Sequence, residues 1–513
     1  MGINIGQVLR QPALRTPERT AVVEVRGEER VEVSYGELDR RARRAAGALL
    51  HAGVAPGDAV ALSAANGVSF LACWFGAVYA GCTVVPVPVL SAAPELAFRM
   101  RHARCRALVT DAPRRELGER AMGRLEARCP HLDTDDALAD ASTAVDAPAD
   151  VPPEAAAMVL YTSGTTGKPK GARITHASLF AHTSALVHHT LRLGPDARVL
   201  GALPLTHSFG IRMVALAPFY AGGRCVLVPR FDAERTLRLL RTEGVTWLPA
   251  VPTMFAAWAN LPAGVPGPSS VRWCLSAGAP LTEDVRRRAE ARLGAEVRQG
   301  YGLTEATFST IDAPPDPPAP GSVGRPVWGI EVRVVDPRGR PLPPGEEGEV
   351  VIRGQNVMGG YLGDPEATAR VLKDGWLHSG DVGVLDAEGR LSVVDRIKDM
   401  IIRGGNNVYP SEVEDVLAEH PAVAEVAVVG RPDTYYGEEV VAVVVPRDGS
   451  PPDPRELLDW SLERMARTKV PRELAVVDAL PLGPSGKVLK RELRAMLRDG
   501  RLVAVPTRNG GSR

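Results

Sequence analysis

Residues 155–171 read AAAMVLYTSGTTGKPKG, and the fold turns on how that stretch is parsed. The run up to Tyr161 is apolar, uncharged and of strand length. The segment after it is too polar for a core and too glycine-rich for a helix: Thr162, Ser163, Thr165, Thr166 and Lys170 stand among Gly164, Gly167 and Gly171. Downstream, Thr175 sits where an N-cap belongs, ahead of the helical pattern HASLFAHTSALVHHTLRL. A glycine-rich loop between an apolar strand and a helix is a place for an anion, because backbone N–H groups and a helix N-terminus both favour negative charge. The spacing is not that of a Walker loop: two residues separate Gly164 from Gly167, and neither Ser nor Thr follows Lys168. By itself the stretch reads either as a phosphate loop or as a flexible turn.

The same alternation of strand-like and helical patterns runs outward from it on both sides. AVALSAA, RALVTD, GRCVLVPR and VTWLPAV read as buried strands, and FDAERTLRLLRTEG as a helix capped by Asp232. That alternation predicts an α/β fold with largely parallel sheets flanked by helices. Beyond the proline-rich DAPPDPPAPG (312–321) the texture changes to short strands and tight turns, a β-rich subdomain over about 322–395. The rest of the chain, 396–513, has the size and pattern of a small α+β domain, which leaves 1–395 as the large N-terminal domain.

Bulk properties narrow the classes. A chain of 513 residues exceeds what one core supports. Lys plus Arg and Asp plus Glu both number 61, so nothing in the charge suggests nucleic acid as a partner. The six cysteines form no CxxC pair, which argues against a disulfide framework or zinc and for a reducing, cytoplasmic setting. No basic-then-apolar leader opens the sequence. FLACWFGAVYAGCTVVPVPVL is long enough to span a bilayer, yet its glycines and prolines favour a buried helix (68–80) followed by a core strand (83–87).

Further motifs come in order: LPLTHSFG (203–210), SAGAP (276–280), GYGLTEA (300–306), WLHSGD (376–381), DRIKDMIIRGGNNVYPSEVE (395–414) and PSGK (484–487). With the glycine-rich loop, this series resembles the adenylate-forming superfamily of acyl-CoA synthetases, firefly luciferases and peptide-synthetase adenylation domains, over nearly the whole chain. The resemblance implies an ATP site. Thr162, Ser163, Gly164, Thr165, Thr166, Gly167 and Lys170 would hold the β- and γ-phosphates. Gly278, Ala279, Pro280 and Tyr301 would bracket the adenine. Thr304 and Glu305 would face the α-phosphate, with Glu305 helping to hold Mg2+. Asp381 would accept from the ribose hydroxyls, and Arg396 would add a contact to the nucleotide. Lys487 would be the cation that drives adenylation, and His207 would orient the acid against the adenylate. The resemblance also implies a mobile C-terminal domain with a hinge at Lys398, and a passage for the pantetheine arm of CoA at Gly404 and Gly405.

The acid pocket would draw on His207, Phe209, Met213 and Trp247, with Ile211, Val251, Met254 and Phe255 nearby. This apolar supply suggests a medium- or long-chain fatty acid, with aromatic and small branched acids next. Arg212 is the exception; it could pair with a second carboxylate or face solvent. His188 and His189 have no partners at metal spacing and read as structural. The expected activity is ATP-dependent carboxylic acid–CoA ligation through acyl-AMP. Loading of an acyl carrier protein, or nucleotide binding without catalysis, are the alternatives.

Overall fold

The charge-free stretch that could have crossed a membrane forms the helix Val68–Tyr79, buried at every residue but Ser69, and the strand Thr83–Pro86. Glycine lets this helix lie close against the helix Tyr35–His51: a Cβ on Gly76 would stand 2.5 Å from the Ala45 Cβ. In the computed structural model, which describes residues 2–127, 129–139, 144–162, 169–262, 267, 270–397, 399–447, 449, 452–483 and 488–507, no helix among the described residues is long and apolar enough to cross a membrane.

Four sheets organise the chain. The first has six strands in the spatial order His131–Asp133, Cys105–Thr110, Ala59–Ser63, Thr83–Pro86, Ala156–Thr162, Lys170–Thr175. All its pairings are parallel except the last. The second has nine strands. Its six central strands, Glu296–Leu303, Trp273–Ala277, Trp247–Ala250, Arg198–Gly201, Arg224–Leu227 and Thr20–Arg26, run parallel. Ala306–Ile311 and Arg325–Pro326 extend one edge and Glu29–Ser34 the other, each by antiparallel pairing. The fold is therefore α/β as expected, with antiparallel edges that the alternating pattern did not announce.

The third sheet is antiparallel and five-stranded, centred on Trp376–Leu385, and one continuous apolar core runs through the first three sheets. The fourth sheet is built from Ile401–Arg403, Asn406–Val408, Val423–Asp433, Gly437–Pro446, Glu473–Val476 and Val505–Pro506. It buries an apolar cluster on each face, and neither shares a residue with the large core. One of these clusters includes Val413 and Leu417 from the helix Pro410–Ala418; the other includes Leu493 from the helix Lys490–Arg498.

Candidate active site

Four neighbouring parallel strands of the nine-stranded sheet release their chains at the same edge. Arg198–Gly201 leads into 203–210, Trp247–Ala250 into the helix Pro252–Ala259, Trp273–Ala277 into Gly278–Ala279–Pro280, and Glu296–Leu303 into Thr304 and Glu305. Ligands of open α/β sheets bind outside the carboxyl ends of the strands, and here motif loops leave those ends side by side. Gly278 makes its turn with φ at +91°, a conformation that favours glycine.

The strand Ala156–Thr162 does not lead into a helix directly. It forms a hairpin with Lys170–Thr175, in which Thr162 stands opposite Lys170, and the helix His176–Ala185 begins only afterwards. Thr175 caps that helix by accepting from the Ser178 backbone N–H, as its sequence position suggests. The strand Lys170–Thr175 thus stands in the chain between the glycine-rich segment and that helix, where the sequence pattern had put the helix next. Ser163, Gly164, Thr165, Thr166 and Gly167 lie outside the described residues.

Beyond the hairpin, Lys170 reaches a residue that the sequence did not single out. Its Nζ lies 5.1 Å from the ring centroid of Tyr361, and the Tyr361 hydroxyl donates to Glu305 Oε1 at 2.7 Å. Main-chain bonds fix the arrangement: Met358 N–H donates to Glu305 O, and Leu362 N–H to Gly171 O. Burial, then the neighbouring Glu305 carboxylate, hold the Tyr361 phenol above its usual range, so it stays a proton donor. Its signal in the sequence was faint, a lone aromatic after Gly359 and Gly360 in a turn-rich stretch.

Asp381 is the hub of the second cluster. It is 3% exposed; Tyr301 donates its hydroxyl to Asp381 Oδ2 at 2.6 Å, and Arg396 Nε lies 2.9 Å from Oδ1. Asp381 and Arg396 face each other across paired strands, whereas Tyr301 arrives from the nine-stranded sheet. Burial acts to lower the Arg396 pKa, but Asp381, Tyr301, Asp399 and Glu305 outweigh it and the net shift is upward. Burial, then Asp381, raises the Tyr301 phenol well above its usual range. A carboxylate offers about four acceptor sites, so two contacts leave capacity for sugar hydroxyls.

In the segment expected to receive the acid, His207 caps the short turn Ser208–Gly210 by accepting from Phe209 N–H at its Nδ1. Gly210 is obligatory here, since a Cβ would fall 2.0 Å from Pro204 O. The π-helical segment Ile211–Leu216 comes next and buries Met213 completely. Phe209 packs edge-on to Phe308 with ring centroids 5.0 Å apart, and Ser208 Oγ lies 2.6 Å from Thr307 Oγ1. Phe308 holds φ at +45°, an uncommon conformation for a large side chain. Arg212, which its sequence position left free to face solvent, is 1% exposed.

Trp247 lies elsewhere. It begins its strand, paired with Trp273, while Ala250 at the other end pairs with Ser276 beside the motif loops. Trp247 thus packs in the sheet core, its ring 5.9 Å from that of Trp273, because register decides which end of a strand a residue occupies. Met254 and Phe255 stand on the helix leaving that strand; Phe255 packs on Trp258. His188 and His189 lie against Tyr220 and Trp328.

On the fourth sheet, Gly404 and Gly405 turn the hairpin between Ile401–Arg403 and Asn406–Val408 with φ of +57° and +82°. A Cβ on Gly405 would meet nothing within 4 Å, so only its backbone conformation demands glycine. Lys398 and Lys487 lie outside the described residues. Among the described residues no group of three or more His, Cys, Asp or Glu could hold a metal ion. A single hard carboxylate such as Glu305 instead fits Mg2+, which keeps several waters and is completed by substrate phosphates.

Comparisons with known proteins agree with this layout. The AMP-binding enzyme family matches residues 9–362, and the AMP-binding enzyme C-terminal domain matches residues 412–487. A feruloyl-CoA synthase of Amycolatopsis sp is 42% identical over 468 residues, covering 90% of this chain and 93% of the relative. The fatty acid–acyl-carrier-protein ligase ScoC of Streptomyces coeruleorubidus is 36% identical over 485 residues, covering 90% and 91%. The crystal structure of ATP-bound MatB from Rhodopseudomonas palustris superposes with a TM-score of 0.90 at 32% identity, covering 97% of this chain and 99% of that one.

Proposed function

The chain belongs to the AMP-binding enzyme family and is an AMP-forming acid–thiol ligase, and from that premise we propose that it activates an aromatic carboxylic acid and passes the acyl group to CoA. In the first step the acid's carboxylate oxygen attacks the α-phosphorus of ATP. The bond to the β-phosphate oxygen breaks, and pyrophosphate leaves. In the second, the CoA thiol gives up its proton and attacks the acyl carbon, and AMP leaves.

Positioning and charge neutralisation supply most of the rate in such a transfer. Thr162, Lys170 and the segment between them hold the leaving phosphates. Glu305, kept in place by Tyr361, helps bind Mg2+, which when bound neutralises phosphate charge. Thr304 faces the α-phosphate, Gly278, Ala279, Pro280 and Tyr301 enclose the adenine, and Asp381 takes the ribose. Lys487 neutralises charge at the α-phosphate. The 396–513 portion turns about Lys398 to exchange Lys487 for the Gly404–Gly405 hairpin, where the pantetheine arm enters.

The observation that carries this reading is the joining of Tyr301, Asp381 and Arg396 across two sheets, beside the Lys170–Tyr361–Glu305 series. The substrate assignment draws on the aromatic and apolar character of the segment after His207, where Phe209 packs edge-on to Phe308 and Met213 is buried. The feruloyl-CoA synthases, at 42% identity, favour it too. A medium- or long-chain fatty acid, with a carrier-protein thiol as acceptor, is the second reading, favoured by the likeness to ScoC.

Acid-dependent ATP–pyrophosphate exchange with ferulate, benzoate, hexanoate and palmitate tests both readings, with AMP release then measured using CoA or a phosphopantetheinylated carrier protein. Exchange that needs no acid would defeat the ligase reading. Lys487→Ala should slow exchange by about 10²–10³ and spare thioester formation from supplied acyl-adenylate. Equal loss of both half-reactions would remove Lys487 from its assigned role.

A further inference from the structure

Three arginines are buried among the described residues, and two of them are paired with carboxylates. Arg298 meets Glu296 at 2.6 Å and Asp312 at 3.4 Å; Arg403 meets Glu439 at 2.6 Å and donates to the carbonyls of Arg467 and Thr468. Arg212 is the most deeply buried of the three, and no carboxylate lies against it among the described residues. Its Nη1 donates to His182 Nδ1 at 3.0 Å, while its Nε and Nη2 have no hydrogen-bond partner there.

His182 cannot serve as the counter-ion. Its Nδ1 accepts from Arg212 and its Nε2 faces Phe308 O at 3.1 Å, so Nε2 carries the proton and the ring is neutral. Burial, and then Arg212 itself, keep the His182 pKa well below the usual imidazole range. Burial also pushes the Arg212 guanidinium down to about 9, still high enough for it to be charged at neutral pH. Isolating a cation in a protein interior costs several kcal/mol unless an anion meets it.

The position of this group gives the missing anion a source. Arg212 lies on the same turn as Phe209 and Met213, five residues beyond His207. Its partner His182 bonds the main chain of Phe308, whose ring completes the aromatic pair with Phe209. π-helical turns of the kind that carries Arg212 occur often at functional sites.

We propose that Arg212 is a specificity-determining residue that pairs with a second anionic group at the far end of the acid, so that the substrate is a ring- or short-chain acid carrying two negative charges. The inference rests on the acid–thiol ligase reading and on the acid end assigned to the segment that carries His207 and Phe209. The two free guanidinium nitrogens suit a bidentate oxyanion, either a carboxylate or a sulfonate.

The test compares matched acids in ATP–pyrophosphate exchange with the full-length enzyme: terephthalate and 4-sulfobenzoate against 4-methylbenzoate, and adipate against hexanoate. The wild type should prefer at least one dianion over its singly charged partner by roughly 10² or more in kcat/KM, since a site built for a polar group rejects the analogue that lacks it. Arg212→Met should cancel or reverse that preference, and Arg212→Lys should restore part of it. Thermal shift gives a readout independent of turnover: the preferred dianion should raise the wild-type melting temperature and leave that of Arg212→Met unchanged. A wild type that uses the singly charged acids equally well or better, or a preference that survives Arg212→Met, would overturn the proposal while leaving the ligase reading intact. Exchange that needs no acid would defeat the ligase reading itself.

Discussion

Arg396 and Arg212 stand at opposite ends of the candidate site and are neutralised in opposite ways. Arg396 is 38% exposed at its side chain, yet it has a carboxylate, Asp381, at 2.9 Å and a phenol attached to that same carboxylate. Arg212 is sealed from solvent and has only a neutral imidazole. The proposed nucleotide end thus carries its own counter-charge, as would suit a site for a constant ligand. The proposed acid end keeps a charge uncompensated among the described residues.

Replacing buried arginines gives the largest expected effect and attacks the contrast directly. Arg298→Met would leave Asp312 buried opposite no cation, and should cost about 3–5 kcal/mol of unfolding free energy. Arg212→Met strands no anion and should fall within about 1 kcal/mol of wild type, or above it. Urea titrations of the two variants measure this; comparable losses would mean that Arg212 has an anionic partner in the folded chain.

At the nucleotide end, Asp381→Asn keeps the shape and removes the charge shared by Tyr301 and Arg396. Exchange should fall by about 10²–10³, chiefly through a higher KM for ATP. An unchanged KM would show that Asp381 serves the sheet contact and not the nucleotide.

The imidazole beside Arg212 makes stability depend on pH. His182 has a folded pKa well below the ordinary 6.5, so the unfolded chain takes up a proton that the folded chain refuses as pH falls below that value. Its contribution is complete above pH 6.5 and is progressively lost as pH falls below that value. A His182→Asn variant should show a correspondingly flatter profile in denaturant titrations between pH 7 and 5.

The smallest effect concerns Tyr361. Tyr361→Phe removes the hydroxyl that holds Glu305 and should raise the Mg2+ requirement about tenfold, on the scale of losses seen when a group supporting a metal ligand is removed, with little change in melting temperature. An unaltered Mg2+ dependence would detach Glu305 from the metal.

The same contrast explains what could be read from the chain alone. Strands such as Ala156–Thr162 and Arg224–Leu227 declare themselves by apolar runs, and Asp232 by its capping position, because these signals are local. The hairpin strand Lys170–Thr175 does not, since KGARIT carries a glycine and alternates too weakly to mark an edge. Trp247 was legible as buried but not as distant from the motif loops, which depends on register with Trp273. Tyr361 joins Glu305 across 56 positions of sequence, and Arg212 meets His182 across 30. No window of sequence contains either pair.

The turn from Ile211 to Leu216 has a consequence for descent. A π-helical turn accommodates more residues than an α-helical one, so loss of a single codon there would draw the segment back to ordinary helix and leave the later side chains in register. Were the lost codon that of Arg212, the proposed anion partner would go and its apolar neighbours Ile211 and Met213 would remain. Such a deletion would alter the proposed acid end without touching any residue assigned to the nucleotide.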